Sequence, residues 1–300
     1  MSSKVIRVLN YRPRIAVLLA AYNGMAFIEQ QLQTILQQKG VKVAVYISVD
    51  LSSDGIFQWC QKLAQSHPEV TVLPYGERFG GAASNFYRLI RDVDFSAFDY
   101  IALSDQDDIW LPDKLISACQ SIDKHGVDAY SSNVLAFWPD GHEQLIDKAQ
   151  PQRQYDYLFE SAGPGCTYVM KTKPLMAFKT ALISDWEQAN QVTLHDWFLY
   201  AFFRTNDYQW IIDSEYKMRY RQHEHNQVGV NKGFNARIKR LRLLRNGWYK
   251  QQVLLIAQLV DTDNSLFTSR WHILKKITQL RRDWKDRLVL CACVLMGLFK

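Results

Sequence analysis

Residues 100–108 are Tyr-Ile-Ala-Leu-Ser-Asp-Gln-Asp-Asp, a short apolar run that opens directly onto three carboxylates within four positions. In open α/β sheets ligands bind beyond the carboxyl ends of the strands, so acids in that place face a common crevice. Such a set repels itself unless a cation or hydrogen-bond donors compensate. A hard divalent ion, Mg²⁺ or Mn²⁺, does so and also grips a diphosphate. The plainer alternative is a solvated turn with an Asp N-cap, and the buried strand ahead of the acids weighs toward metal.

Outward from that strand the chain alternates β-branched runs with helical periodicity. Strands are expected at Ile15–Ala20, Val43–Val49, Val70–Leu73 and Tyr100–Ser104, and helices beginning near Gly24, Phe57, Ala82 and Pro112. That rhythm specifies an α/β fold, a Rossmann-like sheet flanked by crossover helices. Ile28, Leu32, Ile35 and Leu36 recur at helical spacing and face the sheet. Further on come a weaker strand at Ala129–Ala136 and a polar surface excursion over Trp138–Tyr155. A Gly163-Pro164-Gly165 break leads into a strand over Cys166–Met170. A helix over Pro174–Ile183, an aromatic helix over His195–Phe203 and a strand pair around Trp210 and Met218 complete the body.

The 48% hydrophobic content suits one large core with or without an appendage. Five scattered cysteines lack the spacing of a disulfide framework or zinc site, so a reduced compartment is expected. No signal-length apolar stretch precedes Ile15, and the longest apolar run, Leu288–Phe299, has twelve residues, short of the roughly 20 that span a bilayer. The net charge of +6 is uneven: residues 231–300 hold fifteen Lys and Arg against four Asp, leaving the first 230 residues net acidic. The division is therefore a 1–230 catalytic domain and a 231–300 basic amphipathic helical tail. Phe234, Ile238, Leu241, Leu244, Trp248, Leu255 and Leu259 share one helical face, with Arg237, Lys239, Arg240, Arg242 and Arg245 mostly elsewhere on the wheel. Cationic helices bind anionic lipid or nucleic acid. Trp248, Tyr249, Trp271 and Trp284 favour an anionic membrane surface and no nucleic acid; the alternative is packing on the body with solvated cations.

Asp196 is the candidate proton acceptor, at a helix start between His195 and Trp197 where backbone donors favour its charged form. Trp197 offers a sugar surface, and a simple N-cap ahead of core aromatics is the bland reading.

Ile15–Tyr22 with Asn23, Ser48–Gly55, Asp105-Gln106-Asp107 and His195-Asp196-Trp197, in that order, resemble the inverting family 2 glycosyltransferases of GT-A fold, in particular bacterial polysaccharide enzymes of the rhamnosyltransferase kind. The likeness spans about residues 14–230. It implies nucleotide contacts at Ala21, Tyr22 and Asn23, a base or ribose contact at Asp50, a metal motif at Asp105 and Asp107 with Asp107 the direct ligand, and a catalytic base at Asp196. It also implies that Arg221-Gln222-His223, with Asn226, Val228 and Gly229, form a loop closing over the donor diphosphate, with His223 on metal or phosphate. His195 and Trp197 then belong to the acceptor side. The sequence departs from the family where Val49 and Leu51 flank Asp50.

The expected reaction moves a hexosyl or deoxyhexosyl group from a nucleotide-sugar donor to a lipid-linked or oligosaccharide acceptor, in the cytoplasm at the inner face of the plasma membrane. Two other classes compete: a metal-dependent nucleotidyltransferase and a noncatalytic membrane-surface adaptor. The first would carry a Gly-rich loop with Lys or Arg after the first strand, where this chain has Ala21-Tyr22-Asn23-Gly24. Gly76, Gly80 and Gly81 lack the dinucleotide fingerprint, which argues against a dehydrogenase. Cys166 is read as a buried structural thiol.

Overall fold

The computed structural model describes residues 11–223, 246–262 and 269–297. Its strands are β1 (Arg14–Ala21), β2 (Lys42–Val49), β3 (Val70–Val72), β4 (Tyr100–Ser104), β5 (Ile109–Trp110), β6 (Ala129–Phe137), β7 (Glu143–Ile146), β8 (Val169–Lys171) and β9 (Trp210–Arg221). The helices are α1 (Met25–Leu36), α2 (Ile56–Ser66), α3 (Ala82–Asp92), α4 (Lys114–His125), α5 (Thr172–Ser184), α6 (Trp186–Ala189), α7 (His195–Thr205), α8 (Trp248–Leu259), α9 (Arg270–Lys275) and α10 (Trp284–Leu295).

All nine strands join one mixed sheet in the order β3-β2-β1-β4-β8-β6-β9-β5, with β7 added to β6. The four strands β3, β2, β1 and β4 are mutually parallel, and β8 runs antiparallel to both β4 and β6. Register levels the strand exits: Ala21 lies opposite Val49, and Leu19 opposite Ser104. The loops that follow β1, β2 and β4 therefore open on one edge.

Helices cover both faces, and the period-two pattern of β1 divides the core between them. Ala16, Leu18 and Ala20 pack with α3, α5 and α7, whereas Ile15, Val17, Leu19 and Ala21 pack with α1, α2 and α4. A strand buried on both faces has no polar alternation to show, which is why β1 is a continuous apolar run.

Several expectations are corrected. The strand pair around Trp210 and Met218 is one long strand, β9, because its partner β6 runs alongside for its whole length through two register shifts. The polar excursion over 138–155 contains β7, which pairs antiparallel with the Val134–Phe137 end of β6. Pro112 precedes α4 in a turn, with Asp113 at its N-cap. The Cys166–Met170 strand begins only at Val169, after a 3₁₀ turn over Gly165–Thr167.

Of the expected amphipathic helix, residues 234–245 lie outside the described residues. Its later part is α8, whose Val253, Ile256 and Ala257 enter the same core as α7. Leu280, Leu290 and Val294 join that core too, so the described tail is packed on the catalytic body. No described helix is long and apolar enough to cross a membrane.

Candidate active site

The loops at the exits of β1 and β2 are cross-tied. Asn23, in the left-handed region at φ +45°, donates its N–H to Ser52 Oγ (3.0 Å) and accepts Ser53 N–H on Oδ1 (2.8 Å). Asp54 accepts the N–H of Met25 (2.8 Å) and of Ile56 (3.1 Å), joining the first turns of α1 and α2. Gln106 spans the Tyr22 peptide, accepting its N–H and donating to its carbonyl, both at 2.8 Å. A Cβ on Gly24 would stand 2.0 Å from Gln106 Oε1, so the bridge requires glycine there.

These loops line one cavity of about 1010 Å³, which holds Ala21, Tyr22, Asn23, Asp50, Asp105 and Asp107 on one side and His195 and Asp196 on the other, with His223 at the acidic turn. Asp50 lines it but spends its oxygens on backbone: its carboxylate accepts from Leu51 (2.7 Å), Phe79 (2.8 Å) and Gly80 (3.0 Å) N–H groups. It shapes the 76–81 loop, and little acceptor capacity remains for a ribose.

Asp107 Oδ2 lies 2.7 Å from His223 Nε2, whose ring stacks on Phe27. A carboxylate oxygen and an imidazole nitrogen are donor types that suit a divalent cation, while the three ligand atoms that lie within 4.8 Å of one another among the described residues belong to Asp105, Asp108 and Cys166. Burial first, then Asp107 and Asp196, push the Asp105 carboxyl up to about 7. The two neighbouring carboxylates add to the larger effect of burial in favouring its neutral form.

Asp196 sits in the first turn of α7, accepting its neighbour Trp197's N–H at 2.8 Å. Burial raises its carboxyl to about 6, opposed by Trp197 N–H, the Ser161 hydroxyl and the Lys148 ammonium. Such a group is ionised at neutral pH yet basic enough to accept a proton. Beside it, His195 stacks on Phe86 at 4.0 Å, and burial holds its ring neutral at a pKa of about 3. Gly165 closes against this pair: a Cβ there would meet His195 Nε2 at 2.7 Å and Asp196 Cβ at 3.1 Å.

Three expected site residues lie elsewhere. Trp197 is buried, donating its indole N–H to Tyr157 O (2.9 Å) and stacking on Tyr249 of α8. It is a core residue rather than a sugar platform, because helical geometry turns it away from its neighbour Asp196. Gln222 is buried, and its N–H donates to Phe137 O (2.9 Å) just past the end of β9. Arg221 ends β9 and serves the acidic turn, with Nε on Asp107 O (2.8 Å) and N–H on Asp108 Oδ1 (3.2 Å). Arg221 is the last residue of a strand and Gln222 follows it held by a backbone bond, and Asn226, Val228 and Gly229 lie outside the described residues.

Sequence reasoning missed Lys148 and Ser161 as cavity residues. Glycine at 163 and 165 was the one available signal, since such residues mark close approach. Beneath the acids, Asp108 and Cys166 are fully buried, and burial raises both groups well above their ordinary values. The thiol is inert, as expected.

Residues 13–153 match the family described as glycosyltransferase like family 2. The chain is 44% identical over 289 residues, 94% of its length and 100% of the relative's, to the dTDP-rhamnosyl transferase RfbG of Shigella flexneri. A shorter match, 28% over 106 residues, covers 35% of the chain and 40% of the putative teichuronic acid biosynthesis glycosyltransferase TuaG of Bacillus subtilis strain 168. Among solved structures, S. aureus TarS 1-349 in complex with UDP-GlcNAc superposes with TM-score 0.53 at 12% identity, covering 96% of this chain and 82% of that one. The mannosyltransferase PcManGT of Pyrobaculum calidifontis, in complex with GDP-Man and Mn²⁺, gives 0.53 at 16% identity, covering 97% and 82%. At these identities the two structures are similar in fold alone.

Proposed function

The chain belongs to the family 2 glycosyltransferases, and from that premise we propose that it moves a deoxyhexosyl residue, rhamnose by likeness to its Shigella relative, from a dTDP-linked donor to a saccharide hydroxyl with inversion. It is a glycosyltransferase of cell-surface polysaccharide synthesis with the GT-A fold. The observation that carries the finer reading is that Asp105, Asp107 and Asp196 line one cavity, with Asp196 close enough to Asp105 to raise its carboxyl.

The donor half would use the peptide of Tyr22, fixed by Gln106, and the cation Arg78, which lines the cavity near Asp50. Asp107 and His223 would hold Mg²⁺ or Mn²⁺, with Asp105 beside them. When bound, the ion neutralises charge building on the leaving diphosphate. Asp196 takes the proton of the acceptor hydroxyl as its oxygen bonds to the anomeric carbon from the face opposite the departing diphosphate, so configuration inverts. Lys148 lowers Asp196 toward its ionised form and so sustains it as a base.

The domain reading becomes a catalytic unit over 1–230 with a tail over 231–300 that both packs on it and meets an anionic membrane at the inner face of the plasma membrane. Supporting this, Trp284, Leu288, Val289, Leu295 and Met296 of the α10 region are exposed. At about 100° per residue they lie within one 140° arc. Residues 269–297 hold seven Lys and Arg against two Asp. A lipid-linked acceptor would be reached from that position.

The test is incubation with dTDP-rhamnose, UDP and GDP sugars, Mn²⁺ and a lipid-linked acceptor. Transfer from dTDP-rhamnose with release of dTDP and an inverted anomeric signal by NMR is expected. Release of pyrophosphate, or donor binding without transfer to any saccharide, would overturn the reading.

A further inference from the structure

The wall behind Asp196 is residues 154–165, and the C-terminal tail holds it from outside. Tyr155 N–H donates to Gln279 O at 3.0 Å. Phe159 O accepts from Arg281 Nη1 (2.5 Å) and from Tyr249 OH (2.6 Å). Arg282 makes the most of these bonds: its N–H reaches Glu160 Oε1 (2.5 Å), Nη1 reaches Asp156 Oδ2 (3.1 Å), and Nη2 reaches Ser161 O (2.6 Å). Its side chain is 1% exposed, so water does not compete for these bonds.

The last of those bonds leads into the cavity. Ser161 lines the cavity that holds Asp196, and its backbone carbonyl accepts from Arg282. Its hydroxyl donates to Gly163 O at 3.0 Å, at the head of the Gly163-Pro164-Gly165 turn whose Gly165 packs on His195 and Asp196. That short turn separates Asp196 from a tail arginine, and the arginine directly precedes Asp283, the N-cap of α10.

We infer that Arg282 is a positioning residue for the acceptor half of the site: it fixes Ser161 and the glycine wall against Asp196 while touching no substrate itself. This rests on the transferase reading above. Arginine suits the task because its planar fork bonds Asp156 through Nη1 and Ser161 O through Nη2 at once, with Glu160 Oε2 3.5 Å from Nη2, and a lysine point charge does not. Asp156 keeps Arg204 (2.8 Å) and Tyr200 OH (3.0 Å) when Arg282 is shortened, so the fold retains a compensated carboxylate. A shift of about 1 Å at a reacting centre costs on the order of 100-fold in rate.

The experiment uses the full-length chain as Arg282→Lys, with Leu290→Ala, a buried tail residue of the same core, as control. Measured are acceptor kcat/KM, donor Kd, melting temperature and amide hydrogen exchange over residues 159–167. Arg282→Lys is expected to lose about 10- to 100-fold in acceptor kcat/KM with donor Kd within about twofold, and to exchange faster over 159–167. Leu290→Ala should lower the melting temperature without that acceptor loss. Unchanged acceptor kinetics in Arg282→Lys, or the same loss in Leu290→Ala at equal melting shift, overturns the inference. If Arg282→Lys does not fold, Ser161→Ala decides: it should weaken acceptor turnover and spare donor binding, and normal acceptor kinetics refutes the link. Exchange needs no turnover, so a failure of the transferase reading leaves the Arg282 hold separately measurable.

Discussion

The floor of the cavity under Tyr22, Asp50 and Asp105 comes from the exits of three neighbouring parallel strands of the mixed sheet. The wall behind Asp196 instead gathers Lys148, Ser161, Gly165 and His195 from separate segments and is braced by residues 279–282. Hydrogen bonds between adjacent loops hold the floor, as with Gln106 on Tyr22 and Asp54 on Met25. Buried charge holds the wall, where Asp156 is fully enclosed among Tyr200, Arg204 and Arg282. The two halves should therefore fail independently: damage to the floor weakens donor binding, and damage to the wall weakens transfer.

The largest effect that tests this separation is a pair of isosteric variants. Asp196→Asn should lower turnover by about 10³-fold with donor affinity nearly unchanged. Asp107→Asn should weaken donor affinity by about 10- to 100-fold and remove the effect of chelator on donor binding, which in the wild type should be large. Titration calorimetry with and without EDTA separates the two, and equal loss of donor binding in both variants breaks the comparison.

A second test is pH. Asp196 accepts a proton only when ionised, and its carboxyl titrates near 6, so acceptor turnover should be flat above about pH 7 and fall about tenfold per unit below 6. Burial lifts that carboxyl above its ordinary 3.8, so its ionisation opposes folding. The cost is absent below the ordinary value, grows between the two and is complete above about 6. Asp196→Asn should accordingly raise the melting temperature at pH 7.5 by a few degrees while abolishing activity. A lowered melting temperature would mean the carboxylate is a structural cap.

Smaller effects come from two glycines, one in each half. Gly165→Ala forces a Cβ onto His195 Nε2, and His195 cannot retreat because it stacks on Phe86. Overpacking of this kind costs about 1–3 kcal/mol and should reduce acceptor turnover. Gly24→Ala displaces Gln106, a flexible side chain, costing its two Tyr22 bonds at roughly 1 kcal/mol each, and should raise donor KM alone. The smallest effect is on lipid: Leu288→Ser should reduce sedimentation with anionic vesicles by a few-fold and leave soluble-acceptor kinetics intact. Unchanged sedimentation counts against α10 as the membrane face.

Much of the floor was readable from residue order. Strand, turn and helix follow one another within each βα unit, so the apolar run of β1 and the acids after β4 announce both their structure and their edge. Asp196 was readable as an acid at a helix start. Its surroundings were not, because Lys148 and Ser161 join its cavity only through the pairing of β7 with β6 and the turn at Gly163. Trp197 misled for a related reason, since helix phase turns neighbouring side chains about 100° apart and sends the ring to Tyr249. Likewise Arg221 looked like a loop residue until β6 was found to carry β9 that far, with Gln222 N–H tied to Phe137 O just beyond it.

By itself the sequence determined that a parallel α/β sheet places Asp105 and Asp107 at its carboxyl edge, since hydrophobic period and turn residues act over short stretches of chain. Only the tertiary structure decided that Asp196 faces those acids across one cavity and that a tail arginine braces the wall behind it. Those relations join residues 91 and 121 positions apart, one across a shared cavity and one through a hydrogen bond, and at such separations the packing of the whole core, not local preference, sets which side chains meet.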